Sequence, residues 1–568
     1  MRSIPVTLFL LLVAFTAFSQ FFPAPDYPRQ YFRNPLEIPM SLSGNFGELR
    51  SNHYHMGLDL RTNARENLRV FAAASGYISR IKIEPGGFGR AIYIQHPNGY
   101  TTLYAHLNAF FPALEQWVKR QQYRLSSWKL ELELSPDQFP VAKGDFLAYS
   151  GNTGGSQAPH LHFEIRRTAD EVNLNPLYFG FPLEDHTAPR VLRLAVYDRT
   201  RSTYEQSPRL FPVKLVKGQL TTVPGTLIVT TPKISLALTT FDTHDGSSNP
   251  NGVAQAELYL DGRPQTAFRM DQVGYTTTRY LNAHIDYKTR AQGGAWLQHL
   301  SELPGYSPSI YSKPGSTGIL DLSDGAVHDL EIIVRDAYGN NTRVNSRIQF
   351  KAVHTTLPSL PAGKRFYPGM LDGFEAENAE FYIGEKCLYD AVNIGYRESP
   401  DPLAVSSLHT IGASFIPLQE AFLIRIRPTI SLSEQEKNRT VMQWYSGAKK
   451  DVQKVEWQQG FGAARFRDFG NYRLLADLEA PQIVPIGFTD GSNLSKASRL
   501  VFTVKDNLDK FKNVRAELDG QWLCFTNDKG RVFIYRFDEH FPAGQHELKI
   551  TAEDEAGNRT ERIFRLTR

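Results

Sequence analysis

The sequence predicts a mainly β chain of several domains. Three observations carry that expectation: the length, the glycine and proline content, and the period-two alternation of the apolar stretches. At 568 residues the chain is too long for one core, and domains of about 100–200 residues would give about three to five of them. Its 42 Gly and 34 Pro favour turns and short strands over helical bundles. The 36 Phe, 26 Tyr and 6 Trp within an apolar fraction of 41% supply enough burial to exclude wholesale disorder. Lys+Arg 63 against Asp+Glu 59 leaves a net charge of +4, too slight to argue for a nucleic-acid or anionic-membrane partner. Cys387 and Cys524 are the only cysteines. A disulfide scaffold and a thiolate zinc cluster are therefore excluded, and both thiols are expected buried and unpaired.

The N-terminus reads as an export signal over residues 1–19. Arg2 gives a positive start, residues 8–15 are apolar, and Ala17-Phe18-Ser19 offers small residues at a cleavage point before Gln20. The apolar run is shorter than the ~20 residues of a bilayer span. No cysteine follows it to take a lipid, and nothing later is long and apolar enough to span. The mature chain is expected to be exported with no membrane span.

Residues 20–186 come next. Residues 68–74 end at Ser75-Gly76, residues 77–83 alternate, and Pro85-Gly86-Gly87 turns the chain. Residues 91–95 run into Pro97-Asn98-Gly99, a hairpin signal. Residues 100–105, 145–149 and 161–165 complete a small antiparallel set. Between them, residues 110–139 change character: 113–120 have a helical pattern, and the stretch reads as an insertion on the rim.

The C-terminal part repeats itself. His328 to Thr342 matches His546 to Thr560 at an offset of 218, each copy ending in an Asp-x-x-Gly-Asn turn. Ala188-Pro189 matches Ala480-Pro481 at an offset of 292, so the first copy holds 74 extra residues. The pattern resembles bacterial Ig-like modules, with β-sandwich domains expected at 187–352 and 479–568. A further β-rich domain is expected at 353–478.

Six of the fifteen histidines lie between residues 53 and 162 (His53, His55, His96, His106, His160 and His162). Neutral imidazole is the commonest zinc donor, so the cluster invites a metal reading. In His160-Leu161-His162 the rings share one strand face about 6.5 Å apart at Cα. That suits one ligand and one neighbour. His55 and Asp59 are about 13 Å apart in extended chain, so the chain must bend to bring both onto one ion, and Gly57 permits it. His53 reads as exposed, His96 as a turn residue or a support of the site, and Glu164 as orienting a ligand or packing at a strand end. The isolated His284-Ile285-Asp286 pair reads as structural.

These residues then form a pattern. Gly44-Asn45-Phe46-Gly47-Glu48-Leu49-Arg50, His55-x-Gly57-x-Asp59, Tyr104-Ala105-His106-Leu107, Lys143-Gly144-Asp145, Gly151-Asn152-Thr153-Gly154 and Pro159-His160-Leu161-His162-Phe163-Glu164 occur in the order found in the lysostaphin/LytM-type zinc endopeptidases. The likeness covers roughly residues 40–180. It implies a small antiparallel β peptidase domain of the duplicated hybrid motif type with an open groove. It also implies one Zn²⁺ held by His55, Asp59 and His162, with His106 and His160 as the catalytic pair acting on metal-activated water. The implied substrate is the peptide stems of bacterial peptidoglycan, met in the periplasm or cell envelope or after secretion. The Ig-like modules offer surfaces for cell-wall or envelope protein partners. Two other classes are expected alternatives: a catalytically idle regulator that activates another hydrolase, and a surface-binding or scaffold protein. A complete ligand set argues against the first, and the His/Asp cluster argues against the second.

Overall fold

The computed structural model describes residues 21–308, 310–352 and 361–568. The expected export signal at 1–19 lies outside them. Among the described residues no helix is long and apolar enough to cross a membrane.

The N-terminal domain is two antiparallel layers. The main sheet runs in the order Leu42–Gly44, Leu58–Arg61, His160–Arg167, Tyr100–Ala105, Arg90–Gln95, Gly76–Ile83 and Leu130–Glu133. The second layer pairs Arg69–Phe71, Phe146–Ser150 and Leu107–Phe110. Val70, Leu107, Phe110 and Leu147 share one core with Ile78, Ile92, Ile94, Tyr104 and Phe163. Alternation breaks within Gly76–Ile83, where Ile78 and Ile81 are both buried. A register shift between Ile78 and Arg80 accounts for this, because one extra residue returns the next side chain to the same face.

The 110–139 stretch does more than border a groove. Its helix, Pro112–Leu125, starts with proline at the first turn, where the missing N–H costs nothing. It buries Leu114 and Val118 in the domain core beside Trp128 and Leu130. Leu130–Glu133 then extends the main sheet along Gly76–Ile83. Only Glu131 of the stretch reaches the cleft described below. The helix docks the last domain: Tyr123 stacks on His540 with centroids 3.6 Å apart, and Lys119 pairs with Asp538 at 2.8 Å and Glu539 at 3.0 Å.

Three β domains follow. In the first sandwich, Arg190–Asp198 pairs with Lys233–Phe241, and Gln255–Leu260 and Asn341–Phe350 flank Val327–Arg335. Its extra segment reaches back, where Gln272–Val273 pairs with Asn173–Leu174 of the N-terminal domain. Phe46, Tyr54 and Met56 belong to the sandwich's core cluster, so the two domains share buried surface. The middle domain stacks two five-stranded sheets. The last sandwich, with a three- and a four-stranded sheet, has its own core. The repeated turns share their geometry. Asp336 N–H donates to Asn340 O at 3.1 Å and Asp554 N–H to Asn558 O at 3.1 Å, with Gly339 at φ 96° and Gly557 at φ 90°.

Candidate metal centre

The main sheet's register builds the site. His162 sits opposite Asp59 on one side and Ala105 on the other. His160 lies two residues earlier on the same strand face. His106 follows Ala105 where the chain leaves the main sheet for the second layer, and it does so at φ 59°. Such a left-handed non-glycine conformation costs about 1–3 kcal/mol and persists where the surroundings demand it. Its N–H is held by Phe88 O at 3.0 Å. Gly57 lies between His55 and Asp59, where a Cβ would come within 2.4 Å of Phe163 O. The bend therefore packs against the central strand and leaves room only for glycine.

Three donor atoms converge. His55 Nε2 lies 2.9 Å from Asp59 Oδ1 and 3.1 Å from His162 Nδ1, and His162 Nδ1 lies 2.9 Å from the same oxygen. All three residues are buried. The outer nitrogens fix the tautomers. His55 Nδ1 faces Asn45 O at 2.8 Å and His162 Nε2 faces Glu164 Oε1 at 2.9 Å. Both acceptors require an N–H, so in the neutral rings His55 Nε2 and His162 Nδ1 are bare lone pairs. Two lone pairs and a carboxylate oxygen at 2.9–3.1 Å repel one another unless a cation lies among them. This donor set, two imidazoles and a carboxylate, fits zinc with a position left open. The cluster also attracts a proton, which competes with a cation for the same donor atoms. Burial opposes charge on His162, yet the carboxylates of Asp59 and Glu164 outweigh it and lift the ring to about 9. Burial also opposes charge on Asp59, but the neighbouring histidines hold its carboxyl well below the ordinary range.

His106 and His160 face the cluster from the cleft side, with ring centroids 4.8 Å apart. His106 Nδ1 donates to Thr153 O at 2.9 Å and His160 Nδ1 to Ala158 O at 2.9 Å. The Nε2 of His106 is thereby left bare, and that of His160 lies 3.3 Å from Asp59 Oδ1. Burial, with the charges of His162 and His160, lowers His106 to about 3, which keeps its ring neutral.

A layer of supports surrounds these rings. Arg50 pairs with Asp59 Oδ2 at 2.9 Å. Glu164 accepts from four groups: His162, Arg166 Nε at 2.8 Å, Asn173 Nδ2 at 2.7 Å and Tyr275 Oη at 2.6 Å. Burial works against ionising Glu164, but Arg166 and His162 outweigh it and hold it at about 2. The cleft above the site encloses about 1330 Å³. His53 is exposed on its wall. His96 lies away from it, buried between Ser75 O and Thr102 Oγ1. His284 is likewise buried, against Tyr311 Oη, while Asp286 caps a short helix.

Residues 53–123 match the model of peptidase family M23. The N-terminal domain is of the peptidase M23 type. A Zu5-like domain model matches residues 369–477, within the middle domain. Among curated relatives, a DD-carboxypeptidase/endopeptidase Mpg of Neisseria meningitidis is 34% identical over 133 residues, 23% of this chain and 24% of that protein. The peptidoglycan DD-endopeptidase ShyA of Vibrio cholerae is 26% identical over 151 residues, 26% of this chain and 29% of that protein. The chain thus spans about a quarter of the length of the curated relatives it matches. The catalytic domain of lysostaphin from Staphylococcus simulans aligns at 23% identity and a TM-score of 0.17, over 24% of this chain and 87% of that one.

Two groups on the rim of the M23 domain come from other domains. Tyr275, from the first sandwich's extra segment, lines the cleft and bonds Glu164. Lys529, from the last sandwich, donates to the carbonyls of Asn152 at 2.7 Å, Gly154 at 3.0 Å and Ser156 at 2.7 Å. It thereby clamps the loop that leads into His160. Neither residue carries a motif, and each is separated by more than a hundred residues from the strands it serves.

Proposed function

We propose that the chain is a zinc-dependent endopeptidase that hydrolyses the peptide cross-links of bacterial peptidoglycan at the cell envelope. The observation that carries this reading is the convergence of His55 Nε2, Asp59 Oδ1 and His162 Nδ1, with the outer nitrogen of each ring committed to an acceptor. The names of the relatives add the substrate: a DD-endopeptidase of peptidoglycan is among them. When bound, zinc supplies Lewis acidity that polarises the scissile carbonyl and acidifies water.

The chain's own groups do the rest. Glu164 fixes the His162 tautomer, and Arg50 orients Asp59 through the oxygen turned away from the donors. His106 presents an unprotonated Nε2 to the cleft, and His160 presents its Nε2 beside Asp59. Either can accept a proton from the attacking water and return one to the leaving amine. The ring not so engaged, once protonated, is placed to hydrogen-bond the developing oxyanion.

Incubating the purified chain with peptidoglycan, with and without a zinc chelator, tests the reading. New free amino groups and shortened cross-linked stems should appear, stop on chelation and resume on zinc addition. Intact cross-links under zinc-replete conditions would overturn it.

A further inference from the structure

Each sandwich carries three converging aspartates at the end that meets the preceding domain. They are Asp185, Asp242 and Asp336 in the first sandwich, and Asp477, Asp506 and Asp554 in the last. Within each set, one carboxylate oxygen per residue lies within 4.8 Å of the others. The positions correspond. Asp185 and Asp477 lie in the connecting segments ahead of Arg190–Asp198 and Gln482–Ile486. Asp242 and Asp506 directly follow Lys233–Phe241 and Arg499–Lys505. Asp336 and Asp554 open the repeated Asp-x-x-Gly-Asn turns.

Much of their bonding corresponds, although Asp477 Oδ1 also accepts from Asn507 Nδ2 at 2.9 Å. Oδ1 of Asp185 accepts from Thr187 N–H at 3.1 Å, and Oδ1 of Asp477 from Glu479 N–H at 3.2 Å. Asp336 and Asp554 each accept from the N–H and side-chain amide of the turn asparagine, Asn340 or Asn558. The same amides donate to the carbonyls of Asp185 and Asp477 at 3.0 and 2.9 Å.

One oxygen in each set has no partner. Asp242 is 5% exposed and its Oδ1 is buried without a hydrogen bond. Asp506 is half-buried, with Oδ2 accepting from Leu508 and Lys510 N–H, and its Oδ1 is buried without a hydrogen bond. A buried carboxylate oxygen left unpaired is costly, and here the cost falls at corresponding positions in two domains. Burial and the charges of Asp185 and Asp336 push Asp242 up to about 8. Burial likewise raises Asp506, with Asp477 and Asp554 adding to it. Lys510, whose backbone N–H bonds Asp506, sends its ammonium to Asp451 and Val452 O.

We propose that each triad is a calcium site that ties the connecting segment to its sandwich. The donors are all oxygen, which favours a hard cation over zinc or copper. Ligands on opposite sides of a calcium ion at 2.3–2.6 Å lie about 5 Å apart, in keeping with the 4.8 Å limit of each triad. A bound ion would hold the segment against two strand ends, and the junction between domains would stiffen. The first site would set the sandwich that carries Tyr275 against the M23 domain, and the last would set the one that carries Lys529.

Calorimetric titration of calcium chloride into the chelator-treated full chain tests this. Two sites are expected, with dissociation constants on the order of 10⁻⁴–10⁻³ M as in other extracellular modules. Asp242→Asn should lose one site, Asp506→Asn the other, and the double variant both. His162→Ala should keep both, which separates the result from the fate of the zinc reading. Since asparagine removes like-charge repulsion, each variant should melt no lower than the parent without calcium while losing part of the calcium-dependent rise. An absence of saturable binding up to about 10⁻² M, tenfold above the weakest expected constant, or a stoichiometry unchanged in Asp242→Asn, overturns the proposal.

Discussion

The floor and the rim of the cleft are built differently. The floor (His55, Asp59, His106, His160 and His162) comes from two neighbouring strands, the bend before one of them and the left-handed turn after a third, so nearly every side chain is placed by local backbone. The rim is assembled from a distance: Tyr275 enters from the first sandwich and Lys529 from the last. Three of the floor groups, His55, Asp59 and His162, bring donor atoms to a common point. Rim groups touch the floor only through Glu164 and the 151–158 loop. The chemistry is therefore local, while its alignment depends on how the later domains are docked.

That contrast sets a scale of expected effects. His162→Ala removes a donor and leaves Asp59 and His55 without their third partner, so peptidoglycan hydrolysis should fall to background. His106→Ala leaves all three donors and should lower turnover by roughly 10²–10⁴-fold, the range for a lost acid–base group. Glu164→Gln keeps the shape but frees the His162 tautomer, and zinc affinity should fall about 10–100-fold, read by competition with a fluorescent chelator. Tyr275→Phe removes one of four bonds to Glu164, worth about 1 kcal/mol, or about fivefold in zinc affinity. Lys529→Ala should leave zinc affinity unchanged and raise KM by less than about tenfold, through slackening of the loop before His160. If either rim variant matched His106→Ala in effect, the distinction between floor and rim would fail.

The sequence made the floor legible because strand alternation and short motifs fix side-chain direction over a few residues. His160 and His162 share a face for that reason alone. Strands at 77–83, 91–95 and 100–105 could be read from alternation and hairpin signals. The sheet joined by Phe146–Ser150 could not, because alternation records which residues are buried and not which layer they join. His106 required a left-handed turn that its own residue type does not advertise. The 110–139 stretch misled in part: its helical pattern was visible, but its role in docking the last domain depends on Tyr123 meeting His540, a contact more than four hundred residues long. Tyr275 and Lys529 were invisible for the same reason.

The central claim is that His55, Asp59 and His162 hold zinc while His106 acts on substrate. Zinc content and peptidoglycan hydrolysis, measured on the same preparations of the parent chain, His162→Ala and His106→Ala, test it most directly. One zinc per parent chain is expected, with zinc and activity lost together in His162→Ala and zinc kept with activity lost in His106→Ala. Zinc lost from His106→Ala but retained by His162→Ala would contradict it.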